Sequence, residues 1–346
     1  MNKSSPFKIA FIHDRLVYPG WAEKVFFDLI KDVLNKDWYY WKLVEKYNFK
    51  NPQAKIFTTF YNPDFPTPIK IPIEAVIKTP KVGSFPRQLL PVYPILQKIL
   101  SKKIRQYKPD LVIISSFAIA KNLDLWNIPK ILYLHSPMQY IWSHYEEYLN
   151  NPYFQKSKFK KLIFQLSSKY LRKWDWKYTD FNKIFFNSQY TYKTFKQVYN
   201  KNPSNYEILH PKVEIPSYQK VDISKKYNLP KNYYLYIGRV VKFVKKLDQI
   251  IKHFNQTWEN LVIVGDGPDF EELKKLAKPN IKFLWYISYE KDDYWNLLEN
   301  CKALINLTKE SFWIVNYQAL LMWKPIICKP HGAIKEMKGK KIYIDF

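Results

Sequence analysis

The feature that most limits how this chain can fold is a succession of short apolar runs, each closed by a loop and followed by a longer stretch of helical period. Ile9–Ile12, Leu111–Ile114, Ile131–Leu134 and Ile184–Phe186 are β-branched or aromatic runs too short to be helices. Strands alternating with helices build βα units around parallel sheets rather than sandwiches. After Ile208–His210 the pattern loosens through P-K-V-E-I-P-S-Y-Q-K, a proline-bounded connector. It then restarts with Tyr233–Ile237, Leu261–Val264, Ile281–Leu284, Ala303–Asn306 and Pro325–Cys328. The spacing predicts an α/β protein of two Rossmann-like domains, 1–215 and 216–346, with no internal repeat. Ligands of open parallel sheets sit beyond the carboxyl ends of the strands, where loop amides and helix N-termini face phosphate.

Composition narrows the class further. A chain of 346 residues exceeds one ordinary core. Its two lone cysteines, Cys301 and Cys328, exclude a disulfide scaffold or a Cys-rich metal site and point to a reducing cytoplasm. The N-terminus lacks a cleavable signal pattern, and no stretch approaches the roughly 18 uncharged apolar residues of a membrane span. The net charge of +26 comes almost wholly from lysine, beside abundant Ile, Asn, Tyr and Phe. Drift in an AT-rich genome produces that combination. A surface for anionic lipid is the second reading, because Phe85–Arg105 and Phe154–Trp174 interleave basic and bulky apolar residues as an interfacial helix does. Nucleic acid is disfavoured, since no nucleic-acid-binding motif accompanies the charge.

Several loop residues are candidates for chemistry. Arg239 and Lys245 follow the Tyr233–Ile237 run, and together they suit a diphosphate: a guanidinium grips two oxygens and an ammonium neutralises charge. The alternatives are a basic surface loop, or Lys246 as the true partner of Arg239. Gly265 and Gly267 bracket Asp266 just past Val264, which suits either close backbone approach to a ligand or a tight turn. His135 follows Leu134 at a strand end, as a site residue or a satisfied structural histidine; His13 and Asp14 are weaker candidates of the same kind. There is no Asp-x-Asp and no carboxylate or histidine cluster with ligand spacing, so no essential metal and no cofactor is implied.

Taken in order, these motifs resemble glycosyltransferase family 4. Y-I-G-R-V-V-K-F-V-K-K-L-D, V-I-V-G-D-G-P-D and E-S-F-W-I-V-N-Y-Q-A-L resemble its nucleotide-sugar half. K-I-A-F-I-H-D-R-L-V-Y-P-G-W-A-E-K-V, P-D-L-V-I-I-S-S, Y-L-H-S-P-M-Q-Y-I-W and F-N-K-I-F-F-N-S resemble its front half, so the likeness runs from residue 8 to about 336. The resemblance implies a GT-B fold, two Rossmann-like domains facing across a cleft, with the donor held mainly by the second domain and the acceptor by the first. It implies catalytic roles for Arg239, Lys245, Glu310 and His135. Donor contacts are implied at Gly20, Trp21, Gly238, Gly265, Asp266, Phe312, Trp313, Ile314, Val315 and Gln318. Gln318 departs from the pattern: a carboxylate expected to accept both ribose hydroxyls is here a neutral amide.

Glycine is scarce, with 7 residues against 12 tryptophans. Trp21, Trp285, Trp313 and Trp323 stand where the resembled family has glycine. Either some of these codons are UGA read as glycine, or the chain is a decayed homologue. Trp142 and Trp174 fall where the family itself has tryptophan.

The expected activity is retaining, metal-independent transfer of a hexose, with mannose as the candidate, from a nucleoside diphosphate sugar to a hydroxyl of a cell-surface glycan or lipid-linked precursor. The expected place is the cytoplasm, peripheral on the inner face of the plasma membrane. The alternative is a catalytically inactive sugar- or nucleotide-binding homologue. The family continues through further helices beyond the position of Phe346, so a C-terminally shortened second domain is expected.

Overall fold

The computed structural model describes residues 6–80, 89–150, 157–178, 180–308, 311–312, 314–329, 332–336 and 342–343. The chain divides into two compact units, Met1–Lys212 and Val213–Phe346, each built on one parallel sheet. The first sheet comprises β1 (Lys8–Leu16), β2 (Gln53–Tyr61), β3 (Ile73–Lys78), β4 (Leu111–Ser116), β5 (Lys130–Leu134), β6 (Lys183–Phe186) and β7 (Tyr206–Ile208). Its order is β3-β2-β1-β4-β5-β6-β7. The second comprises β8 (Tyr234–Ile237), β9 (Leu261–Val264), β10 (Ile281–Leu284), β11 (Leu304–Asn306), β12 (Ile326–Cys328) and β13 (Ile342–Tyr343), in the order β10-β9-β8-β11-β12-β13. In each unit the chain winds outward from its first strand in one direction, then returns and winds in the other. The reversal falls between β1 and β4 and between β8 and β11, the doubly wound pattern in which ligand crevices open.

The apolar runs form these strands because both faces are covered. β4 is buried at all six residues and β5 at all five. On one face Leu100 and Ile104, from the Tyr93–Tyr107 helix, and Phe195, from the Gln189–Tyr199 helix, pack on Ile12, Ile114, Leu132 and Phe186. β1 runs further than its apolar run suggests. Pairing with β2 as far as Leu16↔Tyr61 keeps it extended, so His13 and Asp14 lie inside the strand and not after it. β2 and β3 are strands that periodicity alone did not single out.

A buried carboxylate and a buried ion pair lock the loop after β4. The Asp14 carboxylate accepts from the backbone N–H groups of Phe117 (2.6 Å), Ala118 (3.0 Å), Ile119 (2.6 Å) and Ala120 (2.6 Å), and from the Ser116 hydroxyl at 3.2 Å. Asp14 is therefore a structural anchor: its oxygens are consumed by amides that would otherwise be orphaned. A few residues on, the fully buried Lys121 ammonium pairs with Asp175 at 2.8 Å, and Asn122 Nδ2, Trp142 Nε1 and Tyr199 Oη complete the carboxylate's bonds at 2.7, 2.9 and 2.7 Å. A buried pair persists only with such saturation of the carboxylate.

In the second unit two glycines allow two loops to touch. A Cβ on Gly265, whose φ is +152°, would lie 1.9 Å from the Gly238 carbonyl oxygen, and one on Gly267 would lie 2.1 Å from that of Val240. The loops are stitched by Gly238 N–H to Val264 O (3.0 Å) and Val240 N–H to Asp266 O (2.9 Å), while Asp269 Oδ2 accepts from Lys242 N–H at 2.8 Å. The close approach that glycine permits here is thus between two loops of this chain. Gly265→Ala should lose about 3 kcal/mol or more of unfolding free energy, since neither backbone can retreat without breaking the ladder. Denaturant titration checks this; an unshifted midpoint would contradict the contact.

Candidate active site

The loop after β8 carries the cationic candidates. Arg239 is exposed, and its carbonyl oxygen accepts from the Tyr236 hydroxyl at 2.9 Å, which fixes the loop backbone beneath the guanidinium. Lys245 is half-buried at the end of the short Lys242–Lys245 helix. Desolvation, with the Arg239 cation beside it, lowers its pKa to about 8. Two cations held together, one of them against its desolvation cost, form a place that favours a polyanion. Lys246 adopts the left-handed conformation, φ 54°, that joins this helix to the Leu247–Thr257 helix. The neighbour that Arg239 perturbs is Lys245.

Across the reversal point, β11 ends at Asn306 and the Ile314–Leu321 helix follows, with Ile314 and Val315 buried in its first turn. Phe312 lies just before it and its ring packs 6.1 Å from that of Tyr317. Thr308, which sequence reasoning passed over, reaches from this segment to the Lys245 carbonyl oxygen at 3.5 Å. Only its position past a strand end could have flagged it. Glu310 and Trp313 lie outside the described residues. Asp266 caps its own loop, accepting from Gly267 N–H at 2.6 Å. Gln318 is buried and its Oε1 accepts from the Tyr294 hydroxyl at 2.6 Å. That leaves the two amide N–H groups, which donate, and one further lone pair on Oε1 as the side chain's remaining capacity.

The first unit gathers a second constellation at the carboxyl ends of β1, β4 and β5. Register pairs His13 with Ser115 and Ser116 with Leu134, which brings His135, the next residue, alongside. Ser115 Oγ lies 2.8 Å from His135 Nε2 and 3.1 Å from His13 Nδ1, and His13 Nδ1 is also 3.1 Å from the Ser115 carbonyl oxygen. Burial, then the neighbouring His13, lowers the His135 pKa to about 3, so the ring is neutral at physiological pH. His13 Nε2 is buried, without a hydrogen bond, 3.8 Å from Glu23 Oε1. Glu23 stands in the first turn of the Trp21–Asn35 helix, whose N-cap is Gly20; a Cβ there would lie 2.6 Å from Glu23 Oε2. Trp21 opens that helix and is half-buried. Ser115, the hub of the row, was legible only as part of a strand.

Of the tryptophans at expected glycine positions, Trp323 has φ 59°. Trp21 and Trp285 are not among the residues of positive φ, and the Trp285 ring stacks on Phe270 at 4.3 Å.

A separate surface lies on the Lys158–Trp174 helix. Phe164, Leu171 and Trp174 turn inward to pack with Leu90, Tyr93 and Leu96, while Phe159, Leu162, Ile163, Leu166 and Tyr170 are exposed. The exposed set recurs at helical spacing and forms one outward stripe, accompanied by exposed Lys158, Lys169 and Lys173. On the Tyr93–Tyr107 helix, which packs in the same cluster, Ile95 and Ile99 are exposed beside Lys98 and Lys102. Among the described residues no helix is long and apolar enough to cross a membrane, and no three His, Cys, Asp or Glu side chains gather as a metal site.

Two family profiles match the chain: one described as Glycosyltransferase Family 4 over residues 43–215, and one described as Glycosyl transferases group 1 over residues 219–341. No curated protein matches its sequence. Among solved structures, Anabaena Alr3699/HepE in complex with UDP superposes with a TM-score of 0.62 at 16% identity, covering 98% of this chain and 86% of that one. WaaG, a glycosyltransferase involved in lipopolysaccharide biosynthesis, gives 0.61 at 15%, covering 95% and 82%. Sucrose-phosphate synthase from Thermosynechococcus elongatus gives 0.64 at 13%, covering 95% and 83%.

The burial of neutral His135 has a measurable consequence. Because its folded pKa is depressed below the ordinary 6.5, the unfolded chain binds a proton that the native one refuses as pH falls from about 6.5 towards 3. Stability contributed by this group is complete above pH 6.5 and declines below it, by at most about 1.4 kcal/mol per pH unit. Unfolding free energies measured between pH 7 and 4 should fall less steeply in His135→Gln than in the parent; parallel curves would mean that His135 titrates normally.

Proposed function

This chain belongs to glycosyltransferase family 4 and has the two-domain GT-B fold, and from that premise we propose that it moves a hexose from a nucleoside diphosphate sugar to a glycan or lipid-linked hydroxyl with retention of configuration. The observation that carries this reading is the pair Arg239 and Lys245 beyond β8, at the reversal point of the second sheet. Solved neighbours of similar fold were crystallised with UDP and with UDP-glucose, which supports a nucleotide sugar as the donor. In the reaction the bond from the anomeric carbon to the diphosphate oxygen breaks while a bond to the acceptor oxygen forms on the same face. The acceptor's proton passes to the departing phosphate. Arg239 and Lys245 neutralise the charge that accumulates on that leaving group, so they are stronger partners of the transition state than of the substrate. Donor contacts are assigned to Gly20, Trp21, Gly238, Asp266, the segment from Phe312 to Val315, and Gln318, while Gly265, expected as a donor contact, supports the site by letting the two loops pack together. Glu310 and neutral His135 are assigned to hydroxyls of the transferred sugar, with mannose as the candidate hexose.

Two protein cations able to balance the charge of two phosphate groups support transfer without a metal. Release of nucleoside diphosphate from a panel of nucleotide sugars, with and without EDTA, identifies the donor and checks this point. Arg239→Ala and Lys245→Ala should each lower turnover by about two to three orders of magnitude. A Lys245 pKa near 8 adds a sign: donor affinity should fall as pH rises above about 8, where the free enzyme loses that proton, and Lys245→Arg should flatten the profile. Full activity of both alanine variants would remove the assignment. Binding of nucleoside diphosphate with no turnover of any sugar would favour an inactive homologue, the reading to which the buried Tyr294–Gln318 contact lends some support.

The outward stripe of the Lys158–Trp174 helix supports a peripheral position on the cytoplasmic face of an anionic membrane, where a lipid-linked acceptor resides. Apolar side chains at helical spacing enter the headgroup boundary, and each nearby lysine adds about 1 kcal/mol of attraction at low salt. The protein should sediment with vesicles containing phosphatidylglycerol and not with neutral ones, and high salt should release it. Leu162→Asp with Leu166→Asp should abolish sedimentation without lowering Tm, since both side chains are already exposed. Sedimentation unchanged in that variant would place the contact elsewhere.

A further inference from the structure

Ten residues other than glycine have positive φ among the described residues, and four of them are tryptophan: Trp126 (51°), Trp176 (68°), Trp258 (58°) and Trp323 (59°). Three others are Asn51, Asn200 and Asn228, of a type whose short polar side chain tolerates the left-handed region. Tryptophan gains nothing there, and it occupies only 12 of 346 positions in the chain.

The local geometry at three of the four is that of glycine. Trp323 N–H donates to Leu320 O at 3.0 Å and Lys324 N–H to Ala319 O at 2.8 Å, the paired bonds of a Schellman end with Trp323 at the left-handed C′ position. Trp258 ends the Leu247–Thr257 helix with φ 58° and ψ 13°, its N–H bonded to Phe254 O at 3.1 Å. At Leu125–Ile128 the turn is closed by Ile128 N–H to Leu125 O at 3.2 Å, with positive φ at Trp126 and not at Asn127, the sign pattern of a type II′ turn whose first central position belongs to glycine. All three indoles face solvent, at 66%, 59% and 74% exposure for Trp126, Trp258 and Trp323. The Trp126 ring lies over Arg105 and that of Trp258 over Lys278, contacts too solvated to compel a left-handed backbone.

The tryptophans of the interior behave differently. Trp142 and Trp295 donate their indole N–H to Asp175 at 2.9 Å and to Tyr289 O at 2.7 Å, and Trp174 is buried. Trp176 has positive φ, but its ring is buried against Phe181, Phe195 and Tyr199, so a glycine would leave a cavity.

We infer that positions 126, 258 and 323 are glycine in the protein its organism makes, each encoded by a UGA codon that the organism reads as glycine. The inference stands on backbone conformation and exposure, independently of the catalytic reading. It adds two positions that lie outside every family motif, and it separates them from the tryptophans that are genuine.

The coding DNA should show UGA at 126, 258 and 323 and UGG at 142, 174, 176 and 295; UGG at any of the first three overturns the assignment there. A second measurement tests the physical reason. The triple variant Trp126→Gly, Trp258→Gly, Trp323→Gly should melt several degrees above the literal-tryptophan protein, whereas Trp142→Gly or Trp295→Gly should melt below it. A triple variant that melts at the same temperature or lower overturns the argument from conformation.

Discussion

Parallel strands cannot be joined by tight turns, so each strand of this protein must return through a crossover before the next begins, helical in most cases and irregular between β2 and β3 and between β4 and β5. Because crossovers keep one hand, a chain that starts in the middle of its sheet must wind one way, then the other. Both sheets do so, and the reversals at β1/β4 and β8/β11 are where loops at the carboxyl ends diverge. Among the described residues, the groups proposed to act on the donor or acceptor stand at or beside one of these two reversals. The position of the proposed site thus follows from chirality and connection before any side chain is considered.

What keeps each reversal open is different in the two units. In the first, the Asp14 carboxylate draws successive amides of the loop after β4 onto itself, and the buried Lys121–Asp175 pair anchors the loop's far end. In the second the device is an absence of side chains: Gly265 and Gly267 let the β8 and β9 loops pack backbone to backbone, and that contact carries Arg239 and Lys245 on a rigid base. For the charge-stabilising role proposed for these two cations such a base matters, because its reorganisation cost is met in folding.

Motif positions were legible because strand-end loops are short and the chain's apolar runs mark them; β9 and β10 match their runs residue for residue. The extension of β1 through Asp14 was not legible, since a polar pair closes the apolar run and only pairing with β2 and β4 keeps it extended. Nor could spacing distinguish a glycine that approaches a ligand from one that approaches another loop. Gly265 is the second kind, because its missing Cβ would meet the Gly238 carbonyl.

The sequence by itself determined the class of fold, the two-domain division in outline, and the family, because periodicity and motif order are local properties written along the chain. It also showed that glycine was scarce, but not which tryptophans stood in its place by conformation. That distinction, the neutrality of His135, the lowered pKa of Lys245 and the occupation of Gln318 by Tyr294 were decided only in three dimensions. Each depends on burial and on partners far apart in the chain, and desolvation acts on a side chain only after folding has brought its neighbours around it.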